Sequence, residues 1–554
     1  MEVESSSLSL DTNIDFWLYM ALKPASSKTL LLFFLSFFLF LLVRFWNISG
    51  WLYFIYDQGR DAARLAELAR GAIALVGPTT GIDGLFLGPL WYYVGLPGYF
   101  LSKGNPTWLA SWFVGISALA FPGFWWLSNE LFWKHGSESP APSHGSQLLR
   151  LLLGWICLAL FIGLPSSVIS STTIWNCLMA APLMLGALYC FWHVRSTAHP
   201  ERWVFGGFLC TALTLQSEFA YAVFFLPVLF LLIPWMTARK KLGDFVAGAS
   251  AVLLTLLPQL AFEVRHRFIM VTSLLHTLSD HAQTVSWANQ FAHRPMQLID
   301  VTVDMFNNPD VNTWPARAVI LMVLSLGVAF VVGTSNRRTV THESTPTARS
   351  RTYLRQLIVL FAVLPYPFYL LWRGNGGNFF SYYFTSHFVF LVPLFVLGLQ
   401  FVVVSLWKSL AGKILAGTAL AMILIPILIS SIDHWVNAIG APVNQAGLHQ
   451  MQSAVEEAYQ LRNPDHSATL IITPNIHSIH YDYLFHHYAD QHRIAPPKTI
   501  VSADDKQMLL VLEGTGGQWP DYVVAQRKAL TELTDWRRKR VKFFGVITLE
   551  EWVR

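Results

Sequence analysis

The sequence predicts a polytopic α-helical membrane protein of about eleven transmembrane helices, followed by a small α/β domain outside the membrane. Hydrophobic residues make up 54% of the 554 positions and charged residues only 13%, roughly half the charged share of a soluble domain. Apolar runs near the ~20 residues that cover a ~30 Å hydrocarbon core recur along the chain. After about Asp433 the composition turns polar, and short apolar runs alternate with helical stretches.

Candidate spans lie at about 29–48, 107–127, 149–165, 176–194, 203–216, 218–236, 244–262, 316–334, 355–373, 384–406 and 413–432. The stretch 86–103 (FLGPLWYYVGLPGYFLSK) is apolar, yet broken by glycines at 88, 95 and 98 and prolines at 89 and 97. The positive-inside rule decides whether it crosses. If it does not, six basic segments share the cytoplasmic side: Lys23 and Lys28, Lys134 and Arg150, Arg195 and Arg202, Arg239 to Lys241, Arg337 to Arg355, and Lys408 and Lys413. Loops 166–175 and 216–218 then carry no Lys or Arg on the other side. Crossing would move five of those six segments outside. The stretch is therefore read as a juxtamembrane or re-entrant hairpin.

This reading divides the chain into a cytoplasmic N-terminal segment (1–28), a transmembrane domain (29–432) and an extracytoplasmic α/β domain (433–554), with juxtamembrane helices in the first external loop (49–106). The acidic N-terminal stretch and the first span read as a retained anchor without a signal peptide. In the last domain ATLIITPN, KTIVS, QMLLVLE and VKFFGVIT read as strands, and 445–461, 478–491 and 520–535 as helices. The loop 136–146 (GSESPAPSHGS) reads as flexible, and no internal repeat is visible. Cys157, Cys177, Cys190 and Cys210 lie in or beside apolar runs without a CxxC pair, so neither a disulfide framework nor a zinc site is indicated. The net charge of +5 follows the topology and is not a nucleic-acid signal.

Chemistry is expected directly outside the first span, in YDQGRDAARLAELARG. Asp57 and Asp61 are one helical turn apart, with Arg60 and Arg64 beside them. Ala62, Leu65, Ala66 and Ala69 recur at helical spacing, which suits a helix lying on the membrane with its apolar side in lipid. A carboxylate at its head can accept a proton from an acceptor hydroxyl or bind a cation. The same pattern also suits a salt-bridged interfacial helix.

VGPTTGIDGLFLGPLWYY supplies sharp turns near the membrane with Asp83 between two glycines, either closing the loop or shaping a pocket. FEVRHRF places Arg265, His266 and Arg267 after a span, and Arg373 ends another in LWRGNGGNFFSYYF. Such groups can neutralise a lipid-linked phosphate or snorkel to headgroups. Glu218, in the short link TLQSEFAY, is costly near membrane depth and suits a structural or a functional role equally. His477, His480, His486, His487 and His492 crowd the last domain, but their spacing matches no zinc signature.

These strings resemble the GT-C membrane glycosyltransferases of the protein O-mannosyltransferase and aminoarabinose-transferase type (glycosyltransferase family 39-like). In that family an Asp-Glu motif follows the first span; here DQGRDA puts Asp57 at the catalytic aspartate and Arg60 at the arginine, with Gln58 where Glu is usual. GPTTGIDGLFLGPLWYY, IWN (Ile174–Asn176) and FEVRH continue the match over about 30–400. The resemblance implies a sugar carried on a polyprenyl phosphate, attacked by an acceptor hydroxyl on a glycan, lipid or protein at the extracytoplasmic face, with inversion. Asp57 would be the base, with Arg60, Asp61, Asp83 and Glu218 in support and Arg265, His266, Arg267 and Arg373 against the donor phosphate. No cofactor is firmly implied, although a carboxylate pair leaves room for a divalent cation. The expected location is the bacterial inner membrane.

Two other readings are an oligosaccharide ligase or polymerase using a lipid-linked glycan and, from a different class, a lipid-linked-sugar transporter or flippase. Transporters bury charges near the midplane and repeat their halves. Here the notable charges gather at one face, which favours the enzyme.

Overall fold

The computed structural model describes residues 27–46, 48, 52, 54–133, 144–238, 241–279, 285–306, 314–340, 346–373, 379–407, 409–440, 447–473, 478–502, 504–514, 521–532 and 536–554. Expectations for segment 1–26, the loop 136–143, Lys134, Arg239, Lys240, Lys408 and His477 lie outside these residues.

Among the described residues nine helices are long and apolar enough to cross a membrane: Ser27–Phe45, Pro106–Trp133, Asn176–Ser196, Phe219–Thr237, Leu242–Arg265, Trp314–Thr334, Ser350–Leu371, Phe388–Leu406 and Leu410–Asn437. A tenth appears if Gln147–Gly163 and Pro165–Thr172, bent by 46°, form one broken span; the bend falls where Pro165 cannot continue the helical ladder. The protein is an integral membrane protein. The expected span 203–216 is an eighteen-residue helix, Pro200–Ser217. It misses the apolar standard because Glu201, Arg202, Thr211, Thr214, Gln216 and Ser217 punctuate it. It packs between the helices Ala180–His193 and Leu242–Arg265.

The stretch 86–103 holds a helix of 13 residues, Leu90–Ser102, about 20 Å long and too short to span. Ahead of it, VGPTTGIDGLFLG folds back on itself: Gly77 donates to Leu87 (2.8 Å), Leu87 to Pro78 (2.9 Å) and Thr80 to Leu85 (3.1 Å). The two arms come so close that a Cβ on Gly77 would lie 2.1 Å from the Gly88 carbonyl oxygen.

The C-terminal domain carries a four-stranded sheet in the order β1-β2-β4-β3, with β1 Ser467–Ile472, β2 Gln507–Glu513, β3 Arg537–Phe544 and β4 Ile547–Val553. β1 and β2 are parallel; β4 runs antiparallel to both β2 and β3. Helices Leu448–Leu461, Ile479–His492 and Asp521–Glu532 stand where the sequence places them. Two strand expectations are corrected. KTIVS makes only an isolated bridge, Ala468 to Lys498. VKFFGVIT is not one strand: it holds the end of β3 and the start of β4 around a turn at Gly545, which takes a positive φ.

One polar residue organises the membrane part. Arg44 lies near the end of the first span and is fully buried. Its Nε donates to Ser171 Oγ (2.7 Å). One terminal nitrogen donates to the carbonyls of Phe40 (3.2 Å) and Ile162 (3.2 Å). The other donates to the carbonyl (3.3 Å) and hydroxyl (2.8 Å) of Ser167. A guanidinium has five N–H donors, and each has an oxygen partner here. The first span is thereby pinned to both halves of the bent pair.

Arg44→Met removes all five charged donor bonds from a buried place, at a cost of about 3 kcal/mol. Arg44→Lys, with three donors, should rescue only in part. Thermal unfolding of the purified protein should show both losses; an unchanged midpoint for Arg44→Met would contradict the assignment.

Candidate functional site

The charged helix Tyr56–Ala69 begins with Asp57 in its first turn. Gln58 fixes that start: its Oε1 accepts the N–H of Ile55 (3.1 Å) while its Nε2 donates to the carbonyl of Ile174 (3.0 Å). This is a structural use of the position where the resembled family has Glu.

The apolar side of the helix is not in lipid, contrary to expectation. Ala62 and Leu65 are 1% exposed, packed in a core shared with Trp91, Phe113, Tyr481, Leu484 and Leu549. The reason is tertiary: the C-terminal domain docks on this helix. Gly59 makes the docking possible, since a Cβ there would lie 2.3 Å from the Cα of His480. Tyr483 adds a hydrogen bond to the Gly104 carbonyl (2.5 Å).

This burial makes the two aspartates unequal. Asp61 is 4% exposed and accepts from Trp91 Nε1 (2.7 Å), Tyr92 OH (3.4 Å) and Arg60 Nε (2.9 Å). Arg60 turns back to Asp57, 2.8 Å away, whose side chain is 27% exposed. Arg60 thus stands between an interior carboxylate and an open one, with Thr79 of the hairpin at 3.5 Å. Burial pushes the Asp61 carboxyl up to about 6, against the lowering effect of Arg60 and Trp91. Burial alone would lower Arg60, but Asp61 and Asp57 outweigh it and hold its proton more tightly.

The segment Ile174–Cys177 lies beside this group. Cys177 is within charge-interaction reach of both Asp57 and Glu218. Glu218 is buried, and its carboxylate accepts the backbone N–H of Ala220.

No protein-family model matches the chain, and no curated protein matches it. Solved structures do. ArnT from Cupriavidus metallidurans in the apo state is 11% identical with a TM-score of 0.55, over 95% of this chain and 98% of that one. The same protein bound to undecaprenyl phosphate is 11% identical with a TM-score of 0.50 over the same shares. The archaeal oligosaccharyltransferase AglB from Archaeoglobus fulgidus, in complex with an inhibitory peptide and a dolichol-phosphate, is 12% identical with a TM-score of 0.44, over 87% of this chain and 69% of that one. The fold is that of the GT-C superfamily.

Within this GT-C fold the expected site residues separate. Asp57, Arg60 and Asp61 form one connected group, and Glu218 approaches it through Cys177. Asp83 is exposed in the hairpin turn. Arg265, His266 and Arg267 are exposed beyond the helix Leu242–Arg265, where the His266 ring stacks on Phe262 at 4.0 Å. Arg373 covers the Trp287 ring at 4.1 Å and donates to the Val285 carbonyl (3.2 Å). Among the described residues no ion pair joins Arg265, Arg267 or Arg373 to a carboxylate.

The C-terminal histidines are mostly spent locally. His486 and His492 face the carbonyls of Asp482 (2.7 Å) and Tyr488 (2.9 Å), and His480 lies 3.5 Å from Glu513. Among the described residues no three His, Cys, Asp or Glu side chains are grouped to hold a metal ion.

Sequence reasoning missed Arg294. It is 1% exposed, 5.1 Å from the Phe379 ring and within charge-interaction reach of Tyr369 and Tyr383. The spacing Gln290, Arg294, Leu298, Val301 marks one buried helix face and could have found it.

Gly59→Ala should force the charged helix off the C-terminal domain, an overpacking cost of about 1–3 kcal/mol. Gly115→Ala, with open space at its Cβ, is the control. Faster amide exchange across 56–69 in Gly59→Ala alone is the expected reading. Asp61 makes a pH prediction. Its folded pKa of about 6 exceeds the unfolded value of about 3.9, so the folded state binds this proton more tightly. The stabilisation is full below the unfolded value and is lost as pH rises through about 6. The unfolding midpoint of the wild type should therefore rise relative to Asp61→Asn as pH falls from about 7 to about 4.5. A pH-independent difference would contradict it.

Proposed function

We propose that this protein is a membrane glycosyltransferase that moves a sugar from a polyprenyl phosphate to an acceptor hydroxyl at the extracytoplasmic face. The observation that carries the proposal is the half-open Asp57, held at 2.8 Å by an arginine whose other side is anchored on buried Asp61. The GT-C fold supports a lipid-linked donor, because ArnT of that fold is seen with undecaprenyl phosphate. We place residues 1–28 in the cytoplasm, 29–432 in the bacterial inner membrane and 433–554 outside, following the distribution of basic loops.

In the reaction, Asp57 accepts the proton of the acceptor hydroxyl as its oxygen attacks the anomeric carbon. A C–O bond forms to the acceptor, the C–O bond to phosphate breaks, and the polyprenyl phosphate leaves with the bonding pair. One displacement inverts the anomeric centre. Charge accumulates on the leaving phosphate, and Arg265, His266, Arg267 and Arg373 are the groups assigned to meet it. Exposure suits the first three to a headgroup arriving from the membrane surface. Arg60 and Asp61 position the base, and the hairpin bearing Asp83 closes the site toward Thr79.

Asp57→Asn preserves shape and removes the proton acceptor. Transfer from a panel of polyprenyl-phosphate sugars to membrane acceptors should fall about a hundredfold or more, with insertion unchanged. Wild-type transfer by Asp57→Asn would overturn the role. Sugar movement across liposomes with no new glycosidic bond would replace the enzyme by a transporter.

A further inference from the structure

The segment Ile174–Cys177 is held from three sides. Gln58 donates to the Ile174 carbonyl (3.0 Å), Asn176 donates to the Ser217 carbonyl, and the Ser386 hydroxyl donates to the Cys177 carbonyl (3.3 Å). These three partners belong to the Asp57 helix, the link carrying Glu218, and the aromatic stretch ending at Ser386. Trp175 is therefore presented where the three meet.

Its ring faces Tyr382 edge to face, centroids 5.4 Å apart, and both residues are half-buried rather than sealed in the core. The aromatic surface continues from Tyr382 to Phe380 (5.4 Å, 18°) and Tyr383 (4.8 Å, 77°). On one side the segment is bonded by Gln58, the neighbour of Asp57; on the other it is bonded to Ser217, the neighbour of Glu218.

A partly open aromatic wall between two carboxylates selects for a particular chemistry. A lipid tail would use the rings but gains nothing from carboxylates. A phosphate would be repelled by Asp57 and gains no cation from the rings. A pyranose satisfies each feature, since its axial C–H groups lie against ring faces while its hydroxyls donate to carboxylate oxygens at its rim. The hydroxyls also compensate for seating Glu218 away from water.

We infer that Trp175 and Tyr382 form a pyranose-binding subsite with Asp57 and Glu218 at its two ends. The inference rests on the sugar-transfer reading and adds the residues that grip the ring. The ring is either the one carried by the polyprenyl donor or one belonging to a glycan acceptor.

The test uses full-length protein in a phosphocholine detergent, which carries no sugar. Saturation-transfer NMR with methyl glucopyranosides and methyl mannopyranosides should show ring-proton contacts in the wild type and, weaker, in Asp57→Asn, whose amide oxygen still accepts a hydroxyl. Trp175→Ala and Tyr382→Ala should lose them, and Trp175→Phe should keep part. Retained binding with abolished transfer in Asp57→Asn separates this subsite from the base assignment. In transfer assays Trp175→Ala should raise one KM at least about tenfold: the donor's KM assigns the ring to the donor, the acceptor's KM to the acceptor, and either supports the subsite. No glycoside contact in the wild type, or wild-type contacts and both KM values unchanged in Trp175→Ala, overturns it. The thermal midpoint of Trp175→Ala should stay within a few degrees of wild type; a collapse shifts the decision to Tyr382→Ala and Trp175→Phe, read in the same way.

Discussion

The whole arrangement depends on the position of one guanidinium. Arg60 lies 2.8 Å from Asp61 and 2.8 Å from Asp57, and the two carboxylates live in different media. Asp61 is enclosed by Trp91, Tyr92 and the apolar side of its own helix. Asp57 looks outward. An arginine fixed at one end by a buried acceptor cannot wander, so it orients the outer carboxylate as a free surface pair would not; exposed pairs are worth little. The anchor has an energetic cost, visible in the upward displacement of Asp61 to about 6. The hydrogen bond from Trp91 offsets part of it.

That cost is tolerable only because the helix is enclosed on both sides. Membrane helices supply one wall and the C-terminal domain the other, meeting in a single apolar core that runs from Leu52 and Phe54 to Leu509 and Val511. Gly59, one residue from Arg60, is a point of close approach between the two. A domain that might pass for an appendage is therefore part of the scaffold of the site. At the other end of the same chain of contacts, Arg44 ties the first span to the bent pair. The first span leads to Asp57 and the bent pair leads to Ile174. Gln58 then closes the loop between them. Two buried polar residues thus set the distance between Asp57 and the Trp175 segment.

The span pattern was legible in the sequence because bilayer thickness imposes a length and an apolarity that no packing detail changes. The short helix at 90–102 was legible for the same reason, in reverse. The aspartate pair could be found from its one-turn spacing, but not the inequality between its members. Burial of Asp61 depends on Trp91 and Tyr92 folding back onto it, and burial of the apolar face on the C-terminal domain meeting a helix some 400 residues earlier in the chain; helical periodicity shows only that a face is apolar, not what covers it. Hence lipid was expected where protein stands. Arg44 hid within an apolar run, although a lone arginine in a span followed later by the serines of PSSVISST is a signal of paired partners. KTIVS had the composition of a strand and lacked neighbours beyond one bridge.

For the proposed function, an enzyme taking a sugar from a lipid faces opposed demands. Its charged groups must meet a headgroup at the membrane surface, yet ionised side chains placed in hydrocarbon are expensive. The solution visible here is to keep the open acid on a short helix above the spans and to bring depth by aromatic and uncharged groups instead. Trp175, Tyr382 and Tyr383 form a partly open aromatic cluster beside the segment that Gln58 and Ser217 hold. Arg294 stands further along that wall, beside Tyr383 and Phe379. Rings tolerate both media, since one face can rest on apolar neighbours while the other meets a polar guest. They can line a path from lipid to Asp57 without the desolvation that a chain of ions would demand. Glu218, buried next to Ser217, is then an acid whose hydrogen-bonding needs the hydroxyls of the proposed pyranose are well suited to meet.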